Sequence, residues 1–428
     1  MTNLRLMKFK FTIIFFFFFL IIGACYSPQL IALLPTTYNN QLGLKKKKCR
    51  LGFKDYIPLD KKDFSISERT IRLHFYIIDN LKGDNNFNLK SGKRYIDELI
   101  WEANNKLANN QKMRLPKGNS TPVLPTRIQY EVEGVTYHKE AKDWYFDHKD
   151  DRYNVMSSAL WSKYAKKDSV AHIFMIEDHP DSIASKTYGG IAGRGMGTLK
   201  FVKLAGCFRL LTDTIWKDNG EFWIRGPNFA AGLMNHEIGH VLGLGHSWVN
   251  DGCDDTPPNP NCWNYTKNGP CASKVSNNMM DYNAWQSALS PCQIGKIHRN
   301  LSKDRNFTRK ILKKNWCSLD WTQSVQIATQ DTVQWCSSKE LRGNLLLGPF
   351  SCLTICRDVS LPKSAKIILK PGSTLIIDGG KLYNDCGEMW EGVFQKKSHP
   401  KDLDAQLILK NGGQIINSSQ QIPYQKLE

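Results

Sequence analysis

Eleven consecutive residues, HEIGHVLGLGH from His236 to His246, constrain this chain more than any other stretch. His236 and His240 are four apart, so on a helix they lie about one turn apart on one face and reach the same point. Glu237 is too close to His236 in sequence to be an easy third ligand, but it is well placed to hold a water there. Gly243 adopts positive φ without steric cost, so it can end the helix and turn the chain sharply. That turn brings His246 back toward the pair. Three neutral nitrogens with an open fourth position are the donor set of a catalytic zinc, whereas structural zinc sites close with four protein ligands. Zinc lowers the pKa of its bound water, Glu237 accepts the proton, and the hydroxide attacks a carbonyl polarised by the same ion. The expected chemistry is amide hydrolysis without a covalent intermediate. Five fixed letters at these spacings arise by chance in about one chain in 10⁵ of this length. Histidines that merely pack are therefore the weaker reading.

Local signals place the motif on a helix. Pro227 and Asn228 precede it, and Asn is a preferred N-cap. Phe229, Leu233, His236 and His240 follow on one stripe, which predicts two apolar anchors in line with the ligands.

The chain has 428 residues, 41% of them hydrophobic, enough for two or three domains. Its formal charge is +18, but the basic residues are spread along the chain apart from Lys45 to Lys48. No zinc finger, helix-turn-helix or RNA-binding signature accompanies them, so nucleic acid is not an expected partner. At the N-terminus, Arg5, Lys8 and Lys10 precede the apolar run FTIIFFFFFLIIGA at 11–24, the pattern of a signal peptide. Cys25 directly follows Gly23 and Ala24, which resembles a bacterial lipobox and implies a lipid on Cys25 that anchors the chain to a membrane. An ordinary cleaved signal peptide and a single-span anchor are the alternatives. The twelve cysteines suit an oxidising compartment. Cys253, Cys262, Cys271 and Cys292 crowd the loop-rich segment after the motif, where disulfides would hold the backbone and three pairings are open.

Residues 1–24 are thus read as a signal peptide and 25–69 as a lipid-anchored tether or short pro-segment. From 70 to 303 a mixed α/β catalytic domain is expected. Ile71, Leu73, Phe75 and Ile77 alternate as a strand, Ile96, Leu99, Ile100, Ala103 and Leu107 recur at helical spacing, and further strands fit Ile128 to Val132 and Val170 to Ile176. The segment GGIAGRGMGTLKFVKL, Gly189 to Leu204, reads either as an edge strand on which a peptide pairs or as a surface loop. Beyond residue 304 the composition turns β-rich. AKIILKPGSTLI at Ala365 and AQLILKNGGQII at Ala405 form a repeat offset by 40 residues. They predict stacked rungs of a parallel β-helix, with a small β-sandwich as the alternative. An uncapped terminal rung would expose an edge, so this domain is expected to be incomplete or to dock on the catalytic one.

The pattern H-E-x-x-H-x-x-G-x-x-H with a later Met-turn is the metzincin signature. HEIGHVLGLGH followed by CDDTP, further cysteines, SNNMMDY and LSPCQ more specifically resembles the pappalysin, or ulilysin-like, branch of that class. The likeness spans roughly residues 70–303, with strong motifs only from His236 to Ile297. It implies a metzincin, zincin-like fold and cleavage of a protein or peptide substrate. His236, His240 and His246 become Zn²⁺ ligands, Glu237 the general base, Met280 the Met-turn residue and Tyr282 the group that helps stabilise the tetrahedral intermediate. It further implies disulfides Cys253–Cys271 and Cys262–Cys292, and Ca²⁺ bound near Asp254, Asp255 and Thr256. Some metzincins cap the zinc with a pro-segment cysteine, for which Cys49 is the candidate here. The function expected is an extracytoplasmic zinc endopeptidase at the cell surface or secreted. The competing reading is a surface adhesin or glycan-binding lipoprotein with a vestigial metal domain, against which the intact Glu237 argues.

Overall fold

The computed structural model describes residues 28–31, 49, 52–146, 155–181, 192–196, 201–212, 222–303 and 306–420. The signal-peptide segment and Cys25 lie outside them. A two-residue strand, β1 (Gln29–Leu30), precedes the main sheet and is placed below.

The alternating run near residue 70 forms β2 (Arg69–Asp79), rich in the β-branched and aromatic side chains that suit a pleated surface. Both of its faces are covered. Ile71, Leu73, Phe75 and Ile77 join the core shared with the helices, while Tyr76 and Ile78 join a second cluster behind the sheet. The strand β3 (Ile128–Lys139) pairs with β2 in parallel, and β5 (Ala171–Asp178) flanks β2 on its other side; β4 (Tyr145–Phe146) pairs with β5. Outside β5 lie β7 (Phe201–Ala205), parallel to it, and then β6 (Ala192–Met196), antiparallel. The segment read as either edge strand or loop thus places β6 at the margin of the sheet. Strand β8 (Leu312–Lys313) also pairs with β2.

Helix α1 (Leu89–Ala108) starts where Asn88 accepts the Ser91 N–H at 2.9 Å. Its buried stripe, Tyr95, Ile96, Leu99, Ala103 and Leu107, packs between β3 and the motif helix. After α2 (Val155–Tyr164) and α3 (Cys207–Thr212) comes the motif helix itself, α4 (Phe222–Val241). It starts earlier than expected. Pro227 lies inside it, and Asn228 is no N-cap: its side chain donates to Glu102 at 2.6 Å and accepts from Lys106 at 3.3 Å, both on α1. A proline removes one helical hydrogen bond; here Ala230, Ala231, Met234 and Ile238, all buried, hold the turn against the sheet. The expected anchor stripe is also displaced, since Phe229 is exposed and Leu233 is only half-buried. Helix α5 (Pro291–Leu301) opens with a capping box at Ser290 and Gln293.

From residue 325 the chain winds through three parallel sheets in rotation. The first holds β9 (Val325–Ile327), β12 (Leu345–Leu347), β15 (Lys366–Leu369) and β18 (Gly392–Gln395). The second holds β10 (Thr332–Trp335), β13 (Cys352–Ile355), β16 (Thr374–Asp378) and β19 (Gln406–Lys410). The third holds β11 (Lys339–Glu340), β14 (Val359–Ser360), β17 (Lys381–Tyr383) and β20 (Gln414–Ile415). Leu345, Leu347, Leu353, Ile355, Ile367 and Leu375 fill the interior. All pairings among these strands are parallel, unlike the antiparallel sheets of a sandwich. The 40-residue repeat is not the structural period. Val325 sits under Leu345 and Leu345 under Ile367, steps of 20 and 22 residues. The first copy of the repeat supplies β15 and β16, the second β19 and β20, so the copies are one face out of phase. Longer turns in the upper rungs shift the phase and hide the shorter period.

The segment read as a tether is fastened to this coil. β1 pairs antiparallel with β18, Ile31 enters the coil core, and Cys49 is bonded to Cys336. Where the coil meets the first sheet, Arg69 and Arg309 both pair with buried Glu340, Arg309 also reaches Asp385 at 3.3 Å, and Cys317 is bonded to Cys386. Burial alone would raise the Glu340 carboxyl, but the two guanidinium groups hold it below its ordinary value. No helix among the described residues is long and apolar enough to cross a membrane.

Candidate metal centre

Helix α4 ends one residue before Leu242, and Gly243 takes φ 92°. The Leu244 N–H reaches the Gly239 carbonyl at 2.9 Å and the Gly243 N–H reaches the His240 carbonyl at 3.0 Å, a Schellman motif. A side chain at Gly243 would meet Asn300, whose amide donates to the Leu242 carbonyl at 2.9 Å. The turn also aims the ligands. The carbonyl of Leu244 accepts from His240 Nδ1 at 2.9 Å, and that of Met279 accepts from His236 Nδ1 at 2.7 Å. A carbonyl only accepts, so both Nδ1 atoms carry the hydrogen and both Nε2 atoms present lone pairs.

Those lone pairs converge. His240 Nε2 lies 3.2 Å from His236 Nε2 and 3.0 Å from His246 Nε2. With their hydrogens on Nδ1, His236 and His240 cannot hydrogen-bond each other through Nε2, and two acceptors this close repel unless a cation lies between them. Burial, with His240 alongside, pushes His236 down to about 3 and His246 down to about 4. His236 and His246 therefore stay neutral well into the acid range, as ligation requires, and burial lowers His240 as well. Three converging imidazole nitrogens, two of them on rings whose other nitrogen is anchored on a backbone carbonyl, fit a zinc ion.

Around the triad, Glu237 is buried on α4, next in sequence to His236. Met280 is fully buried under α4, and a Cβ at Gly239 would come within 2.4 Å of its sulfur. Tyr282 stands at the open side, 47% exposed, its ring 5.4 Å from that of His236 and 5.3 Å from that of His246. Burial, and then the charge of Glu237, raises the Tyr282 hydroxyl above its ordinary value, so it keeps its proton. Exposed Phe229 faces a recess that it lines with Asn228, Gly232, Trp263, Trp285 and Gln286.

Sequence reasoning missed three contributors. Trp248 stacks on His246 with centroids 3.8 Å apart. Buried Asp281 accepts from Ser247 Oγ at 2.6 Å and from Asn259 at 3.0 Å, tying the third histidine's loop to the methionine turn. Gly239 is the third. Only Gly239 carried a signal, as a glycine inside a helical pattern where none is favoured.

The expected disulfides are corrected. The bonds are Cys253–Cys292 and Cys262–Cys271. The first pins the loop after His246 to the start of α5; the second closes a small surface loop. Asp255 is used up capping α5, accepting from Ser290 Oγ at 2.7 Å and from the Cys292 N–H at 3.0 Å. Thr256 Oγ1 donates to Asp251 at 2.9 Å and Asp254 is exposed, which lends the calcium expectation no support. Cys49, bonded to Cys336, is not a cap on the metal centre.

No family model and no curated protein matches the chain. Among solved structures, it is similar to Tannerella forsythia mature mirolysin in complex with a cleaved peptide, at TM-score 0.38 and 15% identity over 57% of this chain and 96% of that one. Mirolysin in complex with a small compound aligns over the same shares at TM-score 0.35 and 15% identity.

Proposed function

We propose that this chain is an extracytoplasmic zinc-dependent endopeptidase. The observation that carries the reading is the convergence of three Nε2 atoms beside a buried glutamate, with the Nδ1 hydrogens of His236 and His240 committed to backbone carbonyls.

His236, His240 and His246 would hold the metal, which when bound supplies Lewis acidity and an acidified water. Glu237 would take a proton from the attacking water and later deliver it to the departing amine, so one carboxylate serves both halves of the reaction. Tyr282, protonated at neutral pH, donates from its hydroxyl to the oxygen of the attacked carbonyl. Strand β6, antiparallel at the sheet margin, offers backbone groups to an extended peptide. Met280 supports the triad from below. Four disulfides among the described residues suit the oxidising space that the signal peptide and a lipid on Cys25 imply.

The test is Glu237→Ala. It is expected to retain one zinc per chain and to lose casein or gelatin cleavage by 10²-fold to 10⁴-fold or more. Undiminished cleavage overturns the mechanism, and a chain that binds no zinc overturns the metal centre.

A further inference from the structure

Far from the metal centre, three cysteines meet on one side of the coil. Cys336 follows β10 and Cys356 follows β13, strands in parallel register with Trp335 opposite Ile355 and the Cys356 N–H on the Trp335 carbonyl at 3.0 Å. The two cysteines therefore stack on successive rungs. Cys49 reaches the same place from the N-terminal segment and is bonded to Cys336, while Cys356 is a free, half-buried thiol. All three sulfurs lie within 4.8 Å of one another. The Gln334 side-chain amide donates to Cys49 Sγ and to Cys356 Sγ, each at 3.3 Å.

The geometry points to an internal thiol–disulfide exchange, in which Cys356 attacks Cys336 and displaces Cys49. Disulfides exchange by attack of a thiolate on one sulfur with departure of the other. Cys356 gives its proton to solvent and its sulfur bonds to Cys336 Sγ; the Cys336–Cys49 bond breaks, and the electron pair leaves on Cys49, which takes up a proton. Nothing is oxidised or reduced overall, so no outside reagent is required. The position of Gln334 selects Cys336 as the sulfur attacked. Its amide touches the other two, the attacking and the departing sulfur, which are the atoms that carry negative charge before and after the step.

The exchange changes what the bond holds. Cys49–Cys336 closes a loop of 287 residues and fastens the N-terminal segment to the coil. Cys336–Cys356 would join two neighbouring rungs and leave that segment held only by contacts such as β1 on β18. The site is thus a covalent latch on the N-terminal segment, opened by isomerisation.

The experiment uses the full chain, purified without reductant, incubated at pH 8, quenched with acid, alkylated and mapped by mass spectrometry. Both Cys49–Cys336 and Cys336–Cys356 are expected, with the one alkylated position among these three cysteines shared between Cys356 and Cys49. Gln334→Leu is expected to slow the approach to that mixture several-fold; an unchanged rate overturns the part given to the amide. In Cys49→Ser, oxidised glutathione is expected to drive Cys336 and Cys356 into one bond. Wild type that holds only Cys49–Cys336, with Cys356 fully alkylated after prolonged incubation, overturns the proposal. So does a Cys49→Ser chain in which both remaining thiols stay free. Cys352→Ser, which removes a free thiol four residues before Cys356, should leave the mixture unchanged; its disappearance would mean general scrambling and likewise overturns the latch.

Discussion

The Nδ1 of His236 donates to the carbonyl of Met279 at 2.7 Å, so the methionine turn orients the first histidine as well as packing beneath it. The next residue, Met280, puts its sulfur where a side chain at Gly239 would stand, 2.4 Å from the position of its Cβ. Histidine orientation, helix and turn are therefore one packed unit.

Gly239→Ala should disturb that unit without removing a ligand. Overpacking of this kind lowers stability by about 1–3 kcal/mol, and a displaced supporting carbonyl weakens metal binding about 10-fold to 100-fold. Chelator competition and thermal unfolding measure the two effects. Unchanged zinc affinity would show that Met280 moves aside freely.

Tyr282→Phe removes the hydroxyl and keeps the ring against His236, His246 and Trp248. Loss of one donor to a developing oxyanion lowers kcat by about 10²-fold to 10³-fold. Zinc content and KM should hold steady. A change in KM alone would make Tyr282 a substrate contact only.

Glu340→Ala would leave Arg69 and Arg309 buried beside Trp316 without their shared counter-ion. Breaking a buried pair by deleting one partner destabilises by about 3–5 kcal/mol. Urea unfolding, compared with the apolar replacement Arg69→Met/Glu340→Met, reads this out; equal midpoints for wild type and Glu340→Ala would remove the network from the stability of the junction.

His298 donates from Nε2 to the Thr126 carbonyl at 2.8 Å, and burial, then Arg69, pushes it down to about 3. The unfolded chain takes up this proton near its ordinary 6.5, the folded chain only near 3. Its stabilising contribution is thus complete above about 6.5 and declines as pH falls toward 3, by up to about 1.4 kcal/mol per pH unit. Across that window, unfolding of His298→Gln should depend on pH by about one proton less than wild type. Parallel curves would show that His298 titrates alike in both states.

The convergence of the three histidines was legible because its determinants are local. Helical spacing puts His236 and His240 on one face, and only a residue tolerant of positive φ makes the turn at Gly243. The start of the same helix was not legible. Pro227 and Asn228 look like a helix start in isolation, and packing against α1 and the sheet overrides them. The disulfide partners were hidden for a related reason: four cysteines, the outer two separated by 39 positions, allow every pairing, and what selects Cys253–Cys292 is the approach of α5, capped by Asp255, to the loop after His246.

By itself the sequence determined the grouping of the three histidines, the carboxylate beside them, the alternation of β2 and the β-rich character of the C-terminal part, all of which depend on neighbours a few residues apart. Tertiary structure alone decided how these pieces meet. Asp281 braces the loop of His246, Glu340 joins two arginines from outside the coil, and the coil's true period emerges only when Leu345 stacks on Val325. Contacts across tens to hundreds of residues leave no short-range sequence signal, because their energy comes from burial and charge pairing that exist only once the chain has closed on itself.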